Sequence, residues 1–547
     1  MNKKTNLNRN RRRETLSNNA AASLVVSSLI AATIGAVGAM AILPSSVTAS
    51  DFKFNLESRI YSNMISGSTE QAVLRDGLFH EENLKIGYFR KTDGGTSLKA
   101  GAAARLTSDS AVARRDFEIR NYFISAHDRS DKNSVIFGDS YVGFSKYTFS
   151  RNIEGIVGTL TFGHTAVIPV YGRTAKGENN VSYARTAQGA RIESSFAERL
   201  KIGANYVSSS DDKSSVTDDT SIFAREENTV SGFDGTFGTG RFTFEGEFAS
   251  SDYKDQKSAK REGDTAWRIK TIYRKPALRA EGEYEVVGSS FNTLAGWAAR
   301  DRAVTKTRML WNTSPWLDTD LSYEILRNNL NGALAYTESA AIPKIAFTIA
   351  PSGKTNFFLS HSVRTSYSDD IPKTLNRDVA TTGAGINLIC GQWRPAVTLE
   401  TNNTRDHAAP INNFNNTYAD ISLRAGFETA GAWKLLPTIG WRATSDKYDA
   451  NPAEDTATTL TIRALARSPG NVEIAGFYTG TRTDRRSSAT VLNRRNLGGE
   501  ALLKLADAGD KTLSMSYNSS DYEQTAASGI TTSYGEKIIE TRLRMKF

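Results

Sequence analysis

Short turn signals recur along this chain at nearly constant intervals, and this periodicity restricts the fold more than any other feature. The turns lie at Gly163, Arg199, Thr239, Pro276, Trp316, Ser352, Gln392, Gly431, Gly470 and Gly509, and the chain ends at Phe547. Successive turns are 36 to 40 residues apart, and longer polar stretches such as 208–221, 252–262, 401–415 and 521–532 lie midway between them. The repeated unit therefore consists of a strand, a long loop, a second strand and a short turn.

Counting these units gives the expected size of the sheet. Ten units between Gly163 and Phe547 correspond to about 20 strands of roughly ten residues each, and the earlier turns Asp93-Gly94-Gly95 and Arg129-Ser130-Asp131 add up to six more. Short turns on one side and long loops on the other are typical of transmembrane barrels. We therefore predict an all-β fold: a large antiparallel up-and-down transmembrane β-barrel of about 26 strands, within a range of roughly 22 to 26.

Apolar and charged residues alternate within several strands, so that each strand has one face of either kind. The charged residues in this pattern are Glu245, Glu247, Arg268, Lys270, Arg274, Glu281, Glu283, Glu285, Glu540, Arg542 and Arg544. In a barrel this face lines the lumen, because a charge facing the bilayer midplane costs roughly 2–4 kcal/mol. We predict that these residues line a pore, where they either tune permeation or fix the strand register through pairs of opposite charge.

The same alternation also fits a water-soluble sandwich, and the N-terminus favours the membrane barrel. Six basic residues precede an apolar stretch from Ala20 to Leu43, and Val47-Thr48-Ala49 fits a small-residue cleavage site. We predict a cleaved signal peptide over residues 1–49. Its removal takes away six basic residues and one acidic residue and lowers the formal charge from +9 to about +4, so the basic composition does not indicate nucleic acid binding.

The remaining chain divides into two predicted parts. Residues 50–163 are expected to form the N-terminal strands of the barrel, part of which can fold into the lumen, and residues 164–547 form the regular hairpin repeats. The hydrophobic content of 39% and the mean hydropathy of −0.41 exclude a helical membrane bundle. They agree with a barrel, because only every second side chain of a membrane strand faces lipid.

The last strand resembles the C-terminal signature of bacterial outer-membrane barrel proteins. Ile539, Leu543, Met545 and Phe547 occupy alternate positions up to a terminal aromatic residue, and Thr541 is the one departure. The resemblance implies a location in the outer membrane of a Gram-negative bacterium, with both termini in the periplasm, and it implies that the barrel-assembly machinery reads this strand as an assembly signal. It does not imply a substrate.

Several aromatic residues lie next to the short turns. They are Tyr273, Trp311, Trp316, Trp393 and Trp433. Amphipathic rings are favoured at the lipid headgroup level, so we predict that these residues form the periplasmic aromatic girdle.

Chemistry for catalysis is not evident in the sequence. The five histidines are scattered without metal-ligand spacing, and we expect no enzyme activity, no cofactor and no metal. The favoured function is an outer-membrane channel with a charged lumen, either a porin-like passive diffusion pore or an export conduit. Its expected partners are outer-membrane lipid, the barrel-assembly machinery, and small hydrophilic solutes or an unidentified partner protein.

Two alternative functions fit the same pattern. The first is a scaffold that sheathes a partner protein in a secretion or electron-transfer complex. The second is a relative of the TonB-dependent receptors without their plug, because strand-like alternation begins as early as Asp51.

Overall fold

The computed structural model describes residues 51–67, 75–113, 115–178, 181–197, 199–216, 224–505 and 510–547, without the side chains of 451–453. The predicted signal peptide, the turn at Gly509 and part of the polar stretch 208–221 lie outside the described residues. No helix in the described ranges is long and apolar enough to cross a membrane.

The described chain is almost entirely β-structure. Its strands are β1 (Phe52–Gly67), β2 (Gly77–Lys91), β3 (Ser97–Thr107), β4 (Phe117–His127), β5 (Ser134–Ser145), β6 (Phe149–Phe162), β7 (Thr165–Ala175), β8 (Ala184–Phe196), β9 (Leu200–Asp212), β10 (Glu226–Thr239), β11 (Phe242–Asp255), β12 (Arg261–Lys275), β13 (Leu278–Val287), β14 (Arg302–Ser314), β15 (Leu317–Asn328), β16 (Glu338–Ser352), β17 (Thr355–Ser368), β18 (Asn376–Leu388), β19 (Trp393–Asp406), β20 (Phe414–Ala425, continued by Phe427–Glu428), β21 (Lys434–Tyr448), β22 (Asn451–Arg467), β23 (Val472–Arg485), β24 (Thr490–Lys504), β25 (Lys511–Thr525) and β26 (Thr531–Lys546). Both segments of β20 pair with β21 and count as one interrupted strand.

The 26 strands form a single closed sheet. Each strand pairs with the next one along the chain, and β26 pairs antiparallel with β1 from Asn55↔Lys546 to Gly67↔Tyr534. At the end of this seam the backbone N–H of Phe54 donates to the carbonyl of Phe547 at 3.0 Å, and the reverse bond measures 2.9 Å. The predicted barrel of about 26 strands is therefore confirmed, because the sheet closes on itself.

Most strands are longer than the roughly ten residues expected from the sequence. Their lengths range from 10 residues in β13 to 17 residues in β22. They extend into the polar stretches that the sequence pattern predicts to be loops. Asp252 still pairs with Thr229, and Asp521 pairs with Gly535. About 9–11 tilted residues suffice to cross a bilayer, and beyond it polar side chains can remain hydrated on both faces of a sheet, so they do not end the strand.

Between β5 and β6 the sheet departs from this regular pattern. Strand β4 pairs with β5 only from Phe123↔Gly138 to His127↔Ser134, and pairing between β6 and β7 begins at Glu154. Gly138 has a φ of +98°, and a Cβ there would lie 2.2 Å from the carbonyl oxygen of Tyr122. Residues 139–153 therefore form a hairpin that leaves the wall at a glycine bend. We call this segment the inner hairpin.

Candidate functional site

The inner hairpin reaches far across the barrel. Its tip is the turn Lys146–Thr148, where Tyr147 and Thr148 are fully buried. The Nζ of Lys146 lies 2.8 Å from both carboxylate oxygens of Glu285 on β13, and the N–H of Tyr147 donates to Glu247 on β11 at 2.8 Å. Both acids lie within their strands and several strands away from β6, so these contacts run through the lumen.

The loop between β13 and β14 meets the tip from the other side. The N–H of Trp297 donates to the carbonyl of Lys146 at 2.8 Å, and the N–H of Ser150 donates to that of Ala295 at 2.9 Å. A Cβ at Gly296 would lie 2.1 Å from the carbonyl oxygen of Tyr147. The two backbones are therefore in direct contact, and only glycine fits at this point.

An apolar core lies between the inner hairpin and the barrel wall. It consists of two clusters. The first contains Val142, Phe144, Phe149, Ile153, Val157, Val170, Ala187, Val207 and Ala295. The second contains Tyr147, Val230, Ala249, Ala266, Val287 and Phe291. The wall residues of this core belong to β6 through β13, beginning with Val157. Burial of large apolar side chains stabilises a contact by about 1.5–3 kcal/mol each, so the hairpin and the loop are fixed to this part of the wall.

Glu285 lies on the inner face, because it contacts the inner hairpin. Directly paired residues lie on the same side of a sheet, so the register around the barrel identifies the inner face of every strand. Glu285 pairs with Arg268 on one side and with Val304 on the other. The same register continues around the wall to Glu540, which pairs with Tyr61. The outer face carries exposed apolar residues such as Phe248, which is 46% exposed.

The predicted charged residues of β11, β12 and β13 all lie on the inner face. Arg268 contacts Glu283 at 2.9 Å and Glu245 at 3.7 Å, and Lys270 lies 3.2 Å from Glu281. Arg274 pairs in register with Arg279. Glu285 is 3% exposed beneath the hairpin tip, with Arg302 at 3.9 Å. The structure therefore brings Arg268 and Lys270 into ion pairs with Glu245, Glu281 and Glu283. Arg274 lies beside another arginine instead.

The predicted charged residues of the last strand lie at the seam, also on the inner face. Glu540 receives a hydrogen bond from Arg59 at 2.9 Å and lies 2.7 Å from Arg542. Arg544 lies 3.1 Å from Glu57. These contacts join β26 to β1 in addition to the backbone ladder.

A further inner-face network on β8, β9 and β10 was not predicted from the sequence. Arg191 is 4% exposed and donates to both carboxylate oxygens of Asp234, at 2.5 and 2.7 Å, and to Glu193 and Asn205, each at 2.8 Å. A Cβ on Gly203 would lie 2.4 Å from this guanidinium. Gly203 pairs directly with Glu193 on one side and with Asp234 on the other, while Arg191 pairs with Asn205. A glycine between two acids, next to an arginine on the same face, is the sequence signal for such a site.

The inner hairpin was also missed, although its sequence carries a signal. The strands that carry the predicted pore residues have one apolar and one charged face, whereas this segment carries apolar residues on both faces, mixed with polar ones. Val142 and Phe144 pack in the core, while Tyr141 on the other face is 66% exposed. This loss of regular alternation distinguishes the segment from the wall strands.

The predicted girdle residues lie at the end of the barrel that carries the short turns. Trp311, Trp316 and Trp393 are 45%, 49% and 41% exposed, and the ring of Tyr273 lies 4.9 Å from that of Phe242. Trp433 closes the turn after β20 by accepting a hydrogen bond from Thr429. In the predicted assembly signal, Ile539, Leu543 and Met545 face outward in the same register. Phe547 is 62% exposed, and the Nζ of Lys511 lies 4.4 Å from its ring centre.

Within the described part of the chain, no group of three or more His, Cys, Asp or Glu residues is placed to hold a metal ion. Asp406 ends β19, His407 follows it, and both make local contacts there. Asp406 accepts hydrogen bonds from the N–H groups of Ala408 and Ala409, and the Nε2 of His407 lies 3.1 Å from Asp378.

No protein-family model and no curated protein matches the chain. Among solved structures, its fold is similar to those of outer-membrane proteins. A chain of the E. coli P pilus tip assembly intermediate PapC-PapD-PapK-PapG is 10% identical with a TM-score of 0.46; the match covers 84% of this chain but only 62% of that one. The E. coli outer membrane transporter YddB is 8% identical with a TM-score of 0.40, and the match covers 92% of this chain and 81% of the transporter. The outer membrane protein OprD from Pseudomonas aeruginosa is 12% identical with a TM-score of 0.32, with coverages of 58% and 88%. These structures are outer-membrane proteins of the kind that the last strand resembles, and no specific family is assigned.

Proposed function

We propose that this protein is a passive channel in the outer membrane of a Gram-negative bacterium, either a porin-like diffusion pore or an export conduit, and not an enzyme. We place both termini in the periplasm and assign recognition of the last strand to the barrel-assembly machinery. The predicted girdle residues would then lie at the periplasmic headgroup level.

One observation carries the proposal: the inner hairpin lies against β6–β13, and the described residues leave the opposite wall uncovered. On that wall, inner-face cations such as Lys344 and Arg463 are exposed. A closed barrel with an uncovered, charged inner wall provides a continuous aqueous path between its ends.

The size of the barrel supports this arrangement. For a circular cross-section, strands about 4.8 Å apart and tilted by about 40° give 26 strands a backbone diameter of roughly 50 Å. A hairpin packed on the wall lies about 10 Å inside it. The inner hairpin therefore occupies part of the lumen, and the predicted charged residues at the seam, Glu540, Arg542 and Arg544, line the remainder.

Single-channel recording in planar bilayers tests the proposal directly. We expect discrete conductance steps from folded protein whose heat-modifiable migration verifies the barrel. We expect larger steps when residues 142–152 are replaced by a short glycine-serine link, because the lumen then widens. A matched variant with an altered loop 526–530 should keep the steps of the wild type. Folded barrel without conductance would reject the channel and favour a barrel filled by a partner protein.

A further inference from the structure

Three arginines on the uncovered wall lie close together without acidic partners. Arg394 on β19 pairs directly with Arg424 on β20. Arg424 pairs with Thr438 on β21, and Thr438 pairs with Arg463 on β22. All three arginines are exposed. The register that continues from Glu285 places Asn402, Asn416 and Asp455 on the inner face. Arg394, Arg424 and Arg463 lie an even number of residues from these three on the same strands, so they share that face. We call Arg394, Arg424 and Arg463 the arginine row.

The spacing of the row follows from the geometry of the sheet. Cα atoms of directly paired residues are about 4.5–5.5 Å apart, and strands two apart are separated by roughly 10 Å. The three guanidinium groups therefore project into the lumen from neighbouring positions. Like charges directly opposite each other on paired strands destabilise a sheet.

Other cations on the same wall lie beside acids. Arg442 lies 3.1 Å from Asp420, and Arg467 lies 3.3 Å from Glu473. Among the described residues of β19–β22, the ion pairs within 4.0 Å are Arg442–Asp420, Arg467–Glu473 and Lys447–Glu454. None of these pairs includes a residue of the arginine row. The row thus combines a destabilising arrangement of like charges with exposed donors that have no acid within reach.

We propose that the arginine row is an anion-binding site that makes the lumen selective for small anions bearing two or more carboxylate or phosphate groups. Guanidinium groups match both oxyanions by paired N–H donors, and an anion with several charges can contact more than one arginine. The inference deepens the channel function proposed above and rests on it for its role in transport.

Ionic strength sets the conditions of the test. The Debye length is about 10 Å at 0.1 M salt and about 30 Å at 0.01 M. In a wide lumen the row acts mainly on anions near the wall at 0.1 M, and it acts across the lumen at 0.01 M. Selectivity for anions should therefore increase as the salt concentration falls.

The test compares the wild-type barrel with Arg394→Gln/Arg424→Gln/Arg463→Gln. The matched control is Arg442→Gln/Asp420→Asn, which removes a charge pair from the same wall without changing the net charge. The first measurement is the reversal potential in a KCl gradient. The second is calorimetric titration of the folded barrel in detergent with tripolyphosphate and, separately, with citrate, which distinguishes phosphate from carboxylate as the preferred group.

We expect an anion-selective wild type that binds at least one of the two probes. The triple variant should lose the selectivity and at least about tenfold in affinity, while the control keeps both. A wild type without anion selectivity and without binding would overturn the inference, as would a triple variant that behaves like the wild type. Binding that depends on the row in a barrel that does not conduct would support the anion site and reject the channel.

Discussion

Lys146 and Glu285 form an ion pair inside the barrel, although six strands separate β6 from β13 along the wall. The Nζ of Lys146 lies 2.8 Å from both carboxylate oxygens, and the side chain of Glu285 is only 4% exposed. The pair joins the tip of the inner hairpin to the wall on which it rests. Its partners come from distant parts of the sequence, and their contact decides where the hairpin lies.

Replacing Lys146 with Met should loosen the inner hairpin. The variant leaves Glu285 buried, with Arg302 at 3.9 Å as its remaining ion-pair partner among the described residues. Removal of one partner of a buried pair costs about 3–5 kcal/mol. We expect faster hydrogen exchange in residues 142–153 and larger fluctuations of the single-channel current. The double variant Lys146→Met/Glu285→Gln should recover much of the protection, because it removes both charges. Equal exchange in the wild type and the single variant would refute this role of the pair.

The close contact at Gly296 gives an independent test of the same docking. A Cβ at this position would lie 2.1 Å from the carbonyl oxygen of Tyr147, so Gly296→Ala must displace the loop or the tip. Overpacking of this kind typically costs about 1–3 kcal/mol. We expect faster hydrogen exchange at Trp297 and Ser150, whose N–H groups bond across this contact. Gly246→Ala is the control, since a Cβ there meets nothing within 4 Å; similar exchange in the two variants would contradict the observed packing.

The number of strands and the face of each side chain could be predicted because they depend on local pattern. The turn at Gly163 and the alternation from Phe242 to Phe248 are both visible within a few residues, and the structure shows both. Where the strands end could not be predicted in the same way. Polar residues such as Asp252 suit either a loop or a strand that extends beyond the membrane.

The inner hairpin and the arginine row depend on distant parts of the chain. The hairpin is fixed by Glu285 and Ala295, more than a hundred residues away from its tip, and no local pattern specifies that contact. The adjacency of Arg394 and Arg424 follows from the register across the loop between β19 and β20. A one-residue change in that register would move one arginine to the opposite face.

The Arg191 network should contribute strongly to the stability of the barrel. Arg191→Ala leaves Asp234 and Glu193 without their shared partner in a buried site, which costs about 3–5 kcal/mol. We expect a lower midpoint in guanidinium chloride unfolding from detergent or lipid. Lys201→Ala is the matched control, because Lys201 also contacts Glu193 at 2.6 Å but is 51% exposed, and exposed pairs contribute at most about 1 kcal/mol. Equal midpoints for the two variants would show that burial does not strengthen the Arg191 network.

Deleting Phe547 should impair assembly of the barrel in the outer membrane. The residue makes two backbone hydrogen bonds with Phe54, of 2.9 and 3.0 Å, at the end of the seam where β26 meets β1. Without it the last strand loses both bonds and the terminal aromatic of the assembly signal. We expect a clear fall in the heat-modifiable, membrane-inserted fraction in cells. The control is Phe237→Ala, which removes another outward aromatic, 43% exposed, from a strand away from the seam. Normal insertion of the protein without Phe547 would show that neither the closing bonds nor the terminal ring is needed.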